Sequence, residues 1–212
     1  MIKLLIADHH PIIRKGLELL FSASSNIQIM GSVDDGEAIV DFIKKVPVDI
    51  ILTEIDLPKL NGLTLLRILK NEYPNIKTII FSGQPEEVYA INAIKAGASG
   101  YVSKTVNIIT INEAILKVND GGIYLSDEIT KQLNLGKKVN RSGNFYKKLS
   151  TREAEVLKLL CVGKKNKEVA KELNVNEKTV STYKARLMKK LKVNNLVDLV
   201  AQAKLAESQS SI

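Results

Sequence analysis

Five short apolar runs mark the first part of the chain. Each is followed by a segment whose apolar residues recur at helical spacing. Residues 2–7, 27–33, 50–54, 76–82 and 99–103 read as strands, and residues 11–22, 36–45, 63–73, 85–96 and 108–119 as helices. In the first helix Ile12, Ile13, Leu17, Leu20 and Phe21 fall at helical spacing, and Pro11 suits a first turn. In the second, Ala38, Ile39, Phe42 and Ile43 share one face. Strands that alternate with amphipathic helices in this way form a parallel sheet buried on both sides. The expected fold is therefore α/β: a doubly wound, five-stranded parallel sheet. Such sheets bind ligands at the carboxyl ends of their strands. Those ends carry Asp8, His9, Glu54, Ser82 and Lys104, a polar cluster that follows from topology alone.

After Gly121 and Gly122 the pattern changes. Ser126 can cap a short helix reaching about residue 133, and residues 135–144 are polar and without period, as in a flexible basic linker. Ser150-Thr151-Arg152-Glu153 is a capping box that opens a helix to about residue 162. Residues 165–173 read as a second helix, Asn176 caps a third that runs to about Leu191, and a fourth spans 196–205. Two short helices joined by a tight turn, the second carrying the basic residues, form a helix-turn-helix pattern. The chain divides into 1–122, a linker with a short helix over 123–147, and a small all-α four-helix domain over 148–212.

Charge follows this division. Through Leu125 there are 12 Lys/Arg against 14 Asp/Glu, whereas from Ser150 onward there are 13 against 7, within a net charge of +8. A near-neutral front joined to a basic back suits a regulatory domain attached to a polyanion binder. No apolar run approaches the ~18 residues of a membrane span, and the start has no signal-peptide pattern. The single cysteine, Cys161, sits in an apolar helical run and reads as small core filler, which fits a reducing cytoplasm.

Asp8, the strand ending in Glu54, Ser82 and the Gly100-Tyr101-Val102-Ser103-Lys104 segment together resemble the receiver domain of bacterial response regulators, over roughly residues 1–122. The resemblance implies that the carboxylate ending the third strand accepts a phosphoryl group. Two adjacent acids after the first strand then bind Mg²⁺ with it. By position Asp8 matches the first acid and Lys104 the lysine that contacts the phosphate. Ser82 matches the switch hydroxyl and Tyr101 the switch aromatic. Asp56 matches a position that offers the metal its backbone carbonyl.

Two positions depart from that pattern. His9 stands in place of the second acid, and Glu54 in place of the acceptor aspartate. Imidazole is a poor ligand for Mg²⁺, which wants oxygen donors in tight octahedral geometry. The extra methylene of Glu54 displaces its oxygens by about 1.5 Å, and a misplacement of that order can slow reaction by about 10²-fold. Weak or absent Mg²⁺ binding and little phosphorylation are expected, with no other metal or cofactor. An ion pair between Glu54 and Lys104 would put negative charge where the phosphate sits and hold Ser82 and Tyr101 in the active arrangement. An inert, degenerate pocket and residual phosphorylation are the alternatives. His10 reads as capping or packing at the helix start, and neighbouring histidines are not expected to converge on one ion.

The stretches 149–157 (Leu-Ser-Thr-Arg-Glu-Ala-Glu-Val-Leu), 163–170 and 175–180 look like LuxR-type (NarL/FixJ) domains, over about residues 148–207. Asn176 stands where that family usually has serine, and Tyr183 where it often has histidine. On the third helix Val180, Leu187 and Leu191 share an inward face. Ser181, Thr182 and Ala185 match positions that face base edges. Lys178, Thr179, Lys184, Arg186, Lys189 and Lys190, with Lys165 and Asn166, suit phosphates. The resemblance also assigns Leu196, Val197, Val200 and Ala201 on the last helix to pairing of two domains, hence a homodimer on double-stranded DNA.

The expected function is DNA-binding transcription regulation without phosphorylation, and not an enzyme, since the pocket holds no nucleophile–base pair. A conventional regulator switched by a sensor kinase and a modulator that heterodimerises with another regulator are the alternatives.

Overall fold

The computed structural model describes residues 1–134 and 149–209, and the polar stretch expected as linker falls largely outside them. The chain divides into two units, Met1–Gly136 and Lys137–Ile212.

In the first unit five strands, β1 (Ile2–Ala7), β2 (Ile27–Val33), β3 (Ile50–Thr53), β4 (Lys77–Ser82) and β5 (Gly100–Ser103), form one sheet. Its order is β2-β1-β3-β4-β5, and every pairing is parallel. The helices are α1 (Pro11–Phe21), α2 (Gly36–Ile43), α3 (Gly62–Glu72), α4 (Glu86–Ala96), α5 (Ile108–Asn119) and α6 (Asp127–Asn134). Strand alternation sorts the core into two faces. Leu4 and Ile6 of β1, with Ile50 and Leu52 of β3, pack with Leu17 and Phe21 of α1 and Ile111 and Ile115 of α5. Leu5, Ala7 and Ile51 point the other way, onto Ile39 and Ile43 of α2 and Leu65 and Leu69 of α3. Truncating one of these leucines to alanine costs about 2–5 kcal/mol. The helix starts are fixed by Asp35, Asn61 and Asn107, whose side chains accept from the amides of Ala38, Leu63 and Thr110.

The α1 face differs from the expectation. Ile12 is 78% exposed, as is Leu19 at 77%, while Leu17 and Phe21 are buried. Ile12 and Ile13 are neighbours about 100° apart on the helix, so only Ile13 turns inward. β1 and β2 match the expected bounds, while β3, β4 and β5 are each one residue shorter: Glu54 lies just past β3, its amide still bonded to the Ala7 carbonyl (2.8 Å).

The first unit does not end at Gly122. Tyr124 makes a parallel bridge beside β5: the Tyr101 amide donates to the Tyr124 carbonyl (2.9 Å), and the Tyr124 amide to the Ser99 carbonyl (3.0 Å). Ser126 caps α6 as expected, and its own amide donates to Glu86 Oε1 (3.1 Å) on α4. Residues assigned from sequence to the linker thus belong with the sheet domain.

The second unit is helical: α7 (Thr151–Cys161), α8 (Asn166–Glu172), α9 (Glu177–Leu191) and α10 (Leu196–Gln209). Both arms of the Ser150/Glu153 capping box form. Val180, Leu187 and Leu191 are buried, which seats α9 on α7 and α8. Cys161 is half-buried. Among the described residues no helix is long and apolar enough to cross a membrane.

Candidate functional site

Chain reversal between β2 and β3 makes the ends of β1 and β3 the topological switch point, and the polar cluster converges there. Ala7 pairs with Thr53 and Ser82 with Ser103, so the residues that follow these pairs meet at one end of the sheet. Lys104 is the hub. Its Nζ lies 2.5 Å from Asp8 Oδ2 and 2.7 Å from Glu54 Oε2. Asp8 and Glu54 are both buried, at 1% and 5% exposed. Burial alone lowers the Lys104 pKa, but the two carboxylates outweigh it and hold the ammonium above its ordinary value.

Glu54 Oε1 is equally occupied. It accepts from the Ile55 amide (2.6 Å), from the Asp56 amide (3.3 Å) and from the Ser82 hydroxyl. The Gln84 amide donates to Ser82 Oγ (3.2 Å), and Gln84 Nε2 donates to Asp56 Oδ2 (2.7 Å). The Tyr101 phenol is buried and donates to the Gln84 carbonyl (3.0 Å), and burial pushes its pKa well up. Gln84 therefore ties Ser82 and Tyr101, the two residues expected to switch, to the acidic turn. Sequence reading missed it, because its partners lie 17 and 28 residues away.

Asp8 Oδ1 accepts from the His10 amide (2.9 Å) and meets His10 Nδ1 at 3.0 Å, so His10 sits at the N-cap position of α1 with its ring turned back toward Asp8. Asp8 Oδ2 accepts no hydrogen bond of sound geometry, although the Lys104 ammonium lies close by. His9 is exposed, its ring centroid 3.7 Å from that of His10. Ligand-capable atoms of Asp8, His9 and His10 all lie within 4.8 Å of one another, against the expectation that neighbouring histidines diverge.

On α9 the side chains expected at base edges, Ser181, Thr182 and Ala185, are exposed, as are Lys178, Arg186 and Lys189. Lys165 is exposed too, and Thr179, Lys184 and Asn166 are half-buried. Asn166 Nδ2 donates to Ser181 Oγ (3.2 Å), which links the start of α8 to this face. Lys190 is engaged otherwise: its Nζ lies 2.6 Å from Oε2 of the buried Glu153. On α10, Val197 and Ala201 are exposed and Leu196 and Val200 half-buried, while Leu199 and Ala203 supply the inner face.

Residues 4–116 match the response regulator receiver domain, and residues 147–203 the bacterial regulatory proteins of the luxR family. The chain belongs to the LuxR-type response regulators. This response regulator is 34% identical to the Fimbriae Z protein of Salmonella typhimurium over 96% of each chain. It is 30% identical to the transcriptional regulatory protein DegU of Brevibacillus brevis, over 95% of this chain and 92% of that one. Among solved structures it is similar in fold to the RcsB response regulator of Salmonella typhimurium, with a TM-score of 0.77 at 23% identity, covering 98% of this chain and 97% of that one.

Receivers imply Mg²⁺, and the donors of this response regulator do not fit it. Both oxygens of Glu54 are engaged, and an ammonium lies against Asp8 Oδ2. His9 adds nitrogen where Mg²⁺ wants oxygen.

Proposed function

We propose that this response regulator binds double-stranded DNA as a homodimer and that its receiver is set by Glu54 instead of by phosphorylation. One observation carries the second half: the Glu54 carboxylate is shared between Lys104 on one oxygen and Ser82 and the Ile55 amide on the other. A phosphoryl acceptor needs a free carboxylate oxygen and a cation poised to neutralise the transferring group. Here neither oxygen is free, and the lysine already neutralises the acid. The negative charge of Glu54 stands in for the phosphate, drawing in Ser82 and leaving Tyr101 inward on Gln84. Mg²⁺ binding is weak or absent, and the pocket performs no turnover.

DNA binding is supported by the exposed, basic and small-residue face of α9, by the surplus of Lys/Arg from Ser150 onward, and by the family. RcsB structures include one bound to promoter DNA and one of two dimers on two DNAs. Val197 and Ala201 give α10 an exposed small-apolar stripe suited to pairing a second copy.

The test is incubation with a small phosphodonor and Mg²⁺, read by intact mass, with Glu54→Asp/His9→Asp as the restored pocket. The native chain is expected to stay unmodified while the double variant gains a phosphoryl group. A native chain that gains the group is a conventional switch fed by a sensor kinase. For the DNA half, binding as a homodimer to promoter fragments is expected. A chain that binds DNA only when mixed with another regulator is a heterodimerising modulator.

A further inference from the structure

Position 9 brings a donor that the Mg²⁺ chemistry of receivers does not use, and it brings it beside another of the same kind. We propose that Asp8, His9 and His10 form a site for a borderline divalent transition ion, zinc foremost, at the mouth of the receiver pocket. The ligand set suits that class: imidazole nitrogens favour zinc, nickel and copper(II) over Mg²⁺, and one carboxylate oxygen is an ordinary third donor.

The geometry is close to assembled. Donors bound to one such ion at about 2.0–2.1 Å lie roughly 3.0–3.4 Å apart. Asp8 Oδ1 and His10 Nδ1 already stand at 3.0 Å, with a hydrogen bond between them. An ion there takes the place of the hydrogen-bonded proton. His9 is the third donor, and the set spans no more than 4.8 Å. Closing that to a ligand spacing takes about 1.5 Å of movement, within reach of χ rotation because His9 is exposed and the His10 side chain is 53% exposed. Asp8 supplies the fixed point: it is 1% exposed, held by the His10 amide, and its Oδ2 accepts no hydrogen bond of sound geometry. Water would complete the coordination from the solvent side.

Occupancy would also be felt inside the pocket. The ion and the Lys104 ammonium share the Asp8 carboxylate, so a bound ion weakens the hold of Lys104 on Asp8 and shifts the ammonium toward Glu54. The site is thus placed to feed a metal signal into Glu54 and Ser82. It stands whether or not Glu54 sets the receiver active.

The full chain is titrated with zinc against a chromophoric chelator, and separately with Mg²⁺ alone by calorimetry. One zinc per chain is expected, with Mg²⁺ far weaker. His9→Ala and His9→Gln should each weaken zinc at least about tenfold while the far-UV circular dichroism is unchanged, and Cys161→Ser should change nothing. His9→Asp, which puts a carboxylate oxygen in place of the nitrogen, should lower the ratio of zinc affinity to Mg²⁺ affinity. Native protein that takes up no zinc, zinc affinity that survives both His9 variants, or zinc affinity lost with Cys161→Ser would each overturn the site.

Discussion

Lys104→Met removes the one cation shared by two buried acids, and its consequence can be sized from the contacts. Asp8 Oδ2 then loses the ammonium at 2.5 Å and, among the described residues, has no hydrogen-bond partner to replace it. Glu54 keeps the Ser82 and Ile55 donors on Oε1 but loses the cation on Oε2. Exposed ion pairs are worth about 0.2–1 kcal/mol, whereas removing one partner of a buried pair costs about 3–5 kcal/mol. The Lys104 side chain is 14% exposed and its partners 2% and 6%, so the lower end of the buried range, about 3 kcal/mol, applies. Lys104→Met/Glu54→Gln leaves one unpaired buried anion instead of two and should recover about 1–2 kcal/mol of that loss. Hydrogen exchange of peptides from β1, β3 and β4 reads the loss locally, with α9 peptides as the internal control. A loss below about 1 kcal/mol, or a double variant no better than the single one, would refute the picture of a buried, charge-locked pocket.

Neighbouring lysines on α9 should separate cleanly. Lys189→Ala should reduce the salt slope of DNA binding by about one, measured by anisotropy at several salt concentrations. Lys190→Ala should instead lower the thermal midpoint of the helical unit, because Glu153 loses its ammonium partner. Burial works to raise the Glu153 pKa, but Lys190 and Ser150 outweigh it and hold it below its ordinary value. Stability from this group is therefore present above the unfolded-state pKa and lost as pH falls through the lower folded one. An acid melt of the α9 peptides that Lys190→Ala leaves unaltered would count against this. Glu86 has the opposite sign: burial raises its pKa, so the ionised form is disfavoured in the fold at neutral pH. Glu86→Gln, which keeps an acceptor for the Ser126 amide, should raise the midpoint of the first unit at pH 7.

The sheet and its pocket were legible in sequence because both rest on local signals. The strands are apolar runs with sharp polar ends, and residues at such ends must share one edge of a parallel sheet. Asp8, Glu54, Ser82 and Lys104 meet for that reason alone. Long-range polar contacts had no such signal: Gln84, the Glu86–Ser126 contact and the Lys190–Glu153 pair join residues 17 to 40 positions apart. Helix phase failed where apolar residues cluster too densely. In α10, Leu196, Val197, Leu199, Val200 and Ala201 cover most of the circumference, so periodicity could not single out Leu199 as the buried one. Ile12 was misread for the same reason, beside Ile13.

The short bridge at Tyr124 bears on how this receiver can be separated from whatever follows it. β5 is the last strand of the sheet, and a last strand offers unpaired backbone groups to any other chain. Tyr124 takes up the Tyr101 amide and the Ser99 carbonyl, and α6 continues over α4. A cut at Gly122, where the helical pattern stops, would strip that cover and leave a sticky margin beside Tyr101. A cut beyond Asn134 would carry the cover along. The natural seam for grafting another output module therefore lies a dozen residues past the apparent end of the domain.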